Sequence, residues 1–538
     1  MKFILHSEID ATSIRDSLGK PDYSYYFVLK AFQPVLEQIG AVELVQRPAE
    51  EVDPIFEACA ARGEDCVFVS FAPPSAVTLG LKCPTIVVVA WEFSTIPDGG
   101  WDSADPRQDW RHVFGRLGFA ISLSSHTARV VKAAMGADFP IFAVASPVYD
   151  RVPRSAAPPS GGVIAKCELA IRGTVIDSAD YTLLPDMVHE PDFPPRPIEE
   201  VRAERAAEAA RIAGETAPEP PPPAPFRKGL RYRLGMTRFS AVEWYREVIR
   251  DLLPRIVARA IGQIGGLLVF VYRRATGWKP PPPPPPPPIP IMRVTLEGVV
   301  YTSMLNPTDG RKNWHDMLTA FCWAFRDVED ATLVLKMVKG DPHSYRRDLF
   351  LILARSAPFK CRIVTMDGFL EDADYAGLMA ATSFYVNASN AEGLCMPLME
   401  FMSVGRPAIA PCHTAMADYI DDSAAFVLET TPEHNVWPND PRHLYTTMRE
   451  RLKWDTLVAA FARSYRVAKE TPELYAEMSA NAESVMRRYC SDEAVRDRLR
   501  GIMDKVIEAA ARRPLGADGQ VAGPTAGQAA RVAEPETT

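Results

Sequence analysis

The sequence predicts two α/β domains in tandem, each on a parallel sheet, with a helical tail and a basic, proline-flanked insert. Three observations carry this. Short β-branched runs alternate with helical patterns, the rhythm of parallel sheets. That rhythm stops at two proline tracts and restarts beyond them. At 538 residues the chain is also too long for one hydrophobic core.

In chain order, "MKFILHSEID" has too short an apolar run for a signal peptide and reads as a first strand. "CVFVSF", "TIVVVAW", "FAISLSS" and "IFAVAS" follow as buried strands, separated by helical stretches such as "TARVVKAAM". They place a first Rossmann-like domain over residues 1–155. Residues 156–290 form the predicted insert, which contains two proline-rich spacers, "APEPPPPAPF" (Ala217 to Phe226) and nine prolines from Pro280 to Pro288, with a basic amphipathic helix between them. Such tracts lack N–H donors and favour extended polyproline spacers. A second Rossmann-like domain is expected over 291–442: "RVTLEGVVYTSM", helix "NWHDMLTAFCWAFRDV", then "ATLVLKMV", "CRIVTMDGF", "SFYVNAS" and "RPAIAP", with helices between. Residues 443–513 read as helices able to cross back over the first domain. Residues 514–538 have little to bury and read as disordered. "LAIRGTVIDS" (Leu169 to Ser178) echoes "VTLEGVVYTS" (Val294 to Ser303), a similarity that a shared strand pattern explains.

Composition narrows the functional class. A net charge of −8 argues against a protein built for nucleic acid. Nine scattered cysteines without a C-x-x-C pair fit reduced thiols in a cytoplasmic protein better than disulfides or a zinc site. No apolar run is long enough to span a bilayer. From Arg227 to Lys279, however, twelve Lys/Arg face three Asp/Glu. Tyr245, Ile249, Leu252, Leu253, Ile256, Ala260 and Ile264 recur there at helical spacing. Two readings stand: contact with an anionic membrane surface, or packing on the chain's own acidic domains.

The chemistry concentrates in "AEGLCMPLMEFMSVGRPAIAP", where Glu392 and Glu400 stand eight positions apart. "SFYVNAS" is a buried strand, so Asn390 to Met396 is a loop at a strand's carboxyl end, where open α/β sheets bind ligands. Pro397 opens a helix whose start can receive phosphate, and Gly393 permits close backbone approach. Glu400, one turn in, can accept hydrogen bonds from sugar hydroxyls, and Glu392 can reach a second sugar. The arrangement suits a nucleotide-sugar. Asp372-Ala373-Asp374 mimics a metal motif but sits at a predicted helix start, where acids act as caps.

This stretch resembles the E-x7-E motif of retaining GT-B glycosyltransferases, over roughly Val294 to Ala425, with "GRKNWHDMLTAF" matching the basic loop that opens their carboxyl-terminal domain. The first domain resembles the family more faintly, in "VVVAWEFSTIP" and "ISLSSHTARVV". The resemblance implies a GT-B fold with two Rossmann-like domains facing a cleft. It implies that Glu400 binds the nucleotide ribose and that Glu392 contacts the transferred sugar, near the backbone of Gly393, Leu394 and Cys395. Arg311 and Lys312 would offset the diphosphate charge as it departs, and Lys336 would add a phosphate contact. The family's usual motif has other residues where Leu394 and Cys395 stand, so these side chains would narrow the pocket. Its frequent amino-domain histidine has no clear counterpart; Glu92, His112 and His126 remain to fill that place. Neither metal nor other cofactor is expected. The partners implied are a nucleoside-diphosphate-sugar donor and a glycan or lipid-linked acceptor. The function implied is retaining hexose transfer in envelope polysaccharide or lipopolysaccharide synthesis, in the cytoplasm or at the inner membrane face. Alternatives are a GT-B epimerase or phosphorylase, and a degenerate scaffold recruiting partners through its polyproline segments.

Overall fold

A computed structural model describes residues 1–9, 23–99, 105–153, 166–189, 193–212, 290–338, 343–438 and 440–512. The proline tracts, the basic segment 227–279 and the tail 514–538 lie outside these residues. The chain forms two compact units. One holds both sheets and the C-terminal helices; the other lies within Glu199–Ile289, and of it only part of helix α5 (Ile198–Ile212) is described.

The first sheet is built from β1 (Lys2–His6), β2 (Ala41–Leu44), β3 (Cys66–Phe71), β4 (Thr85–Val89), β5 (Ala120–Ser122) and β6 (Ile141–Ala143), in the order 2-1-3-4-5-6. All its pairings are parallel. Every residue of β3 and β4 is buried, which is why these strands read as unbroken apolar runs rather than alternating ones. Helices α1 (Tyr23–Glu37), α2 (Pro48–Ala60), α3 (Trp110–Leu117) and α4 (Ser125–Met135) cover the faces.

The second sheet contains β7 (Cys167–Asp177), β8 (Ile291–Leu296), β9 (Val299–Leu305), β10 (Ala331–Met337), β11 (Arg362–Phe369), β12 (Phe384–Val386), β13 (Ala408–Pro411) and β14 (Ala425–Leu428). Its order is 14-13-12-9-10-11-7-8. From β9 the chain steps outward one way to β10 and β11, then returns to lay β12, β13 and β14 on the other side. The strand order therefore reverses between β9 and β12, the place where open α/β sheets form a crevice at the strands' carboxyl ends. Its helices are α6 (Trp314–Ala324), α7 (His343–Ser356), α8 (Asp372–Ala381) and α9 (Met396–Ser403). Two parallel-sheet α/β domains with a helical C-terminal region match the expected architecture.

Three boundaries differ from expectation. Residues 167–177, placed in the insert by sequence, form β7 and join the second sheet, antiparallel to β11 and to β8. Arg362 and Asp177 pair across this junction, and Tyr181 packs its ring on Phe350. The insert is thus shorter than 156–290. "RVTLEGVVYTSM" is two strands, not one, because Gly298 turns at φ 79°. The echo segments turn out to be neighbours, Leu169 facing Val294. Third, residues 443–513 are not helical throughout: β16 (Thr447–Leu452) pairs antiparallel with β15 (Thr430–Asn435). Helices follow only from α10 (Trp454–Glu470), through α11 (Pro472–Cys490) to α12 (Asp492–Arg512).

The tail does cross to the first domain. Tyr149 donates to Glu483 at 2.8 Å, Arg151 pairs with Asp492 at 3.0 Å, and Val495, Leu499 and Val506 share a core with Val35 and Leu36.

Gly173 and Gly368 face each other where β7 meets β11, and a Cβ on Gly173 would fall on the Asp367 carbonyl. Gly173→Val should therefore destabilise by about 1–3 kcal/mol, read as a lower urea midpoint, whereas valine at exposed Gly310 meets no neighbour. Equal midpoints for the two variants would show that β7 is not tightly paired here.

Candidate functional site

The reversal in strand order explains how residues 80 positions apart meet. The loop leaving β9 carries Asp309, Arg311 and Lys312 on a short 3-10 turn; the loop leaving β12 carries Asn387, Ser389 and Glu392. The two loops are joined through the backbone as well, Asn390 N–H donating to the Arg311 carbonyl at 2.8 Å.

Glu392 is 3% exposed. Its Oε1 accepts from Lys312 Nζ at 2.6 Å, Ser389 Oγ at 2.6 Å and Asn387 Nδ2 at 3.3 Å. Its Oε2 accepts from Arg311 Nη1 at 3.1 Å. Four donors match the roughly four lone-pair positions a carboxylate offers. Burial raises its pKa, but Lys312 and Arg311 outweigh that and hold the carboxyl at about 2. The main chain is fixed too: Glu392 N–H donates to Thr414 Oγ1 at 3.0 Å, and its carbonyl accepts from Ala415 N–H at 3.1 Å. His413 Nε2 donates to the Ser389 carbonyl at 3.1 Å; burial lowers this imidazole to about 4, so it stays neutral.

Arg311 is the hub. Besides Glu392 it meets Asp309 through Nε at 3.1 Å, the Ala391 carbonyl at 2.8 Å and, from the first domain, Glu92 at 3.1 Å. The loop after β4 that carries Glu92 closes on the second domain. Trp437 Nε1 donates to the Thr95 carbonyl at 3.1 Å, Thr95 Oγ1 donates to the Thr446 carbonyl at 2.9 Å, and Phe93 packs with Ala391 and Trp437. Next to it, Asp418 accepts from the Ser125 N–H at the start of α4 at 2.8 Å.

Glu400 occupies a contrasting place. It is half-buried on α9, and Tyr375 of α8 donates to its Oε2 at 2.5 Å. Burial pushes its carboxyl up to about 7, with only that hydroxyl opposing. The same residue type, eight positions apart, is thus held charged at one position and close to neutral at the other.

Of the eight predicted site residues, the structure brings Arg311, Lys312 and Glu392 into direct contact. It revises the surroundings of the others. Lys336 is buried on β10, with Nζ donating to the carbonyls of Met337 at 2.7 Å and Gly368 at 2.5 Å, and burial lowers it to about 8. It braces strand ends rather than awaiting phosphate. Leu394 is buried in the main core, and its carbonyl accepts from Tyr419. Cys395 takes the left-handed conformation at φ 63°, with Sγ accepting from Asn387 at 2.9 Å and burial pushing the thiol up to about 12. Gly393 is needed because a Cβ would press on Ala90 and on Trp91 N at 3.2 Å; the close neighbour is the first domain. Glu392, expected to touch a sugar, is filled by its own protein donors. Asp374 does not cap α8 but accepts from Ala170 N–H of β7 at 3.0 Å. Of the three candidates for the amino-domain position, Glu92 reaches the cluster. His126 donates to the Phe93 carbonyl at 3.2 Å, and His112 lies on α3. Asp309, Asn387, Ser389 and Tyr375 were not anticipated. An acid, amide or hydroxyl within a few residues of a strand's carboxyl end was the signal for the first three.

No protein-family model matches the chain. A protein of Sulfolobus islandicus filamentous virus (isolate Iceland/Hveragerdi), named as a putative glycosyltransferase, is 27% identical over an alignment of 173 residues that covers 29% of this chain. The match spans about half of that relative, 55% of its length. Among solved structures, a glycosyltransferase from Rickettsia africae superposes with TM-score 0.45 at 8% identity, covering 94% of this chain and 98% of the other. Sucrose-phosphate synthase from Thermosynechococcus elongatus gives TM-score 0.44 at 10% identity, covering 94% and 99%. Anabaena HepE, solved with UDP and glucose, gives 0.41 at 11%, with the same coverage.

The two glutamates should affect stability with opposite signs. Glu392 has a depressed pKa, so its contribution is complete above the unfolded carboxyl value of roughly 4.3 and is lost as pH falls toward about 2. Glu392→Gln should destabilise at pH 7 by on the order of 3–5 kcal/mol, because two cations lose a buried partner. Glu400 has a raised pKa, so its contribution is complete below roughly 4.3 and is lost as pH rises through about 7. Glu400→Gln should raise the urea midpoint at pH 8 and leave it unchanged at pH 4. A Glu400→Gln midpoint that falls at pH 8 would contradict the assigned burial.

Proposed function

We propose that the chain is a glycosyltransferase that moves a hexose from a nucleoside-diphosphate sugar, with retention of anomeric configuration, to a glycan or lipid-linked acceptor. The observation that carries this reading is the charge arrangement at the strand-order reversal, where Arg311 and Lys312 are held by a buried carboxylate beside the start of α9. Fixed cations in a site poor in water favour a reaction that releases an anion, and departure of a diphosphate is such a step. The viral relative's name points the same way. The leaving diphosphate would itself assist the acceptor hydroxyl, as the resemblance implies. Glu392, saturated by donors, serves chiefly to hold Arg311 and Lys312 in place. Glu400 is the carboxyl left to accept from ribose hydroxyls, with Tyr375 orienting it.

Calorimetric titration with UDP, GDP and ADP tests the reading and identifies the base. At least one should bind, and Glu400→Ala should weaken it by roughly 1–3 kcal/mol, the cost of leaving buried hydroxyl groups without a partner. Lys312→Ala should lower kcat more than it raises KM, since its charge matters most as the diphosphate leaves. A folded protein that binds none of the three nucleotides would defeat the proposal and favour the scaffold reading.

The setting proposed is envelope polysaccharide synthesis at an anionic membrane face. Among the described residues no helix is long and apolar enough to cross a membrane. Support comes from the twelve basic residues between Arg227 and Lys279, each worth about 1 kcal/mol near an anionic surface. Sedimentation with phosphatidylserine vesicles should show binding that fades with salt and disappears when residues 227–279 are deleted. If the intact protein ignores such vesicles at low salt, membrane attachment is wrong and packing on the protein's own acidic surface takes its place.

A further inference from the structure

Resting on the reading of the cleft as a diphosphate site, we propose that Glu92 is an internal competitor for that site: its carboxylate occupies Arg311 across the domain boundary and must give way when an anionic ligand binds.

Charge balance leads to this. Arg311 and Lys312 face Glu92, Asp309 and Glu392, so the cluster already carries one negative charge in excess. Side chains there are between 3% and 31% exposed, so water screens them weakly. A diphosphate added to this arrangement would find both cations already paired with carboxylates that outnumber them, and like-charge repulsion would oppose its binding. One carboxylate has to leave.

Geometry selects which. Glu392 is fixed by four donors and by two main-chain hydrogen bonds. Asp309 sits on the same turn as Arg311 and accepts its N–H at 3.3 Å, so it travels with the arginine. Glu92 belongs to the other domain and, among the described residues, makes one ion pair, to Arg311 Nε at 3.1 Å. Burial raises its pKa, with Glu392 and Asp309 adding to the rise and Arg311 and Lys312 opposing it. Its charge is therefore the least well compensated of the three. The loop that carries it, residues 90–97, packs through Phe93 and Thr95 on Ala391, Trp437 and Thr446. Expelling Glu92 thus loosens the seam that closes the first domain over Gly393, and ligand entry and domain separation become one event.

The test compares the full-length protein with Glu92→Gln, which keeps the shape and removes the charge, and with Glu92→Ala as a second variant. Each is titrated with inorganic pyrophosphate and with UDP, GDP and ADP. Both variants should bind pyrophosphate, and whichever nucleotide the protein accepts, about tenfold more tightly or better, as expected when a like charge is removed. Equal or weaker binding by the variants overturns the proposal. If the variants gain affinity for pyrophosphate while no nucleotide binds any of the proteins, Glu92 competes as proposed and the nucleotide-sugar reading falls. If a nucleotide binds all three proteins alike, that reading stands and the competitor role falls. If no anion binds any of them, both fall.

Discussion

Two cations and a carboxylate cannot be buried side by side unless each satisfies the others, and that requirement shapes the second domain around Glu392. Removing the Glu392 carboxylate from water costs several kcal/mol. Lys312 and Arg311 compensate, but only when the loops after β9 and β12 end at the same level of the sheet. That in turn depends on the reversal of strand order, which makes β9 and β12 neighbours in parallel register. Asn387, Ser389, Thr414 and Ala415 complete the enclosure. The site is therefore preorganised: its positive groups are held at fixed positions before any ligand arrives, which is the condition under which they can act on a developing charge.

The same physics explains why the two glutamates of one sequence motif differ. Glu392 lies in the loop and gathers donors from three segments. Glu400 lies on the helix that follows, where burial raises its pKa and Tyr375 is the hydrogen-bond donor. A carboxyl poised near neutrality is well suited to exchanging one hydroxyl partner for another. A carboxylate locked at low pKa is suited to holding cations still. Spacing alone could not reveal that division of labour, because it depends on which residues from elsewhere in the chain surround each group.

How much was legible follows from how local each feature is. β3, β4 and β10 are fully buried, mostly apolar strands, and Pro397 at a helix start is a matter of one residue, so these could be read directly. Arg311, Lys312 and Glu392 were also legible, since strand-end loops are where α/β sheets place polar groups. β7 was not assigned correctly, because both its partners lie far along the chain, β8 beyond the proline tracts and β11 nearly 200 residues away. β16 was missed because its alternating charges also suit an exposed helix. Lys336 misled for a different reason. A lysine ending a strand resembles a ligand contact until its neighbours are known, and here two backbone carbonyls take its ammonium group.

Glu92 shows where sequence patterns stop and charge balance continues. It lies just beyond an all-apolar strand, so its nearness to a cleft could be expected, but not its partner. The Arg311 contact joins the two domains at the same point where the cationic groups converge. The enclosure around Glu392 would keep its form whichever way the domains moved, since every group in it comes from the second domain. The Glu92 contact would not. The interaction that builds the site and the interaction that closes it therefore share one guanidinium, and a ligand competing for Arg311 acts on the second while leaving the first intact.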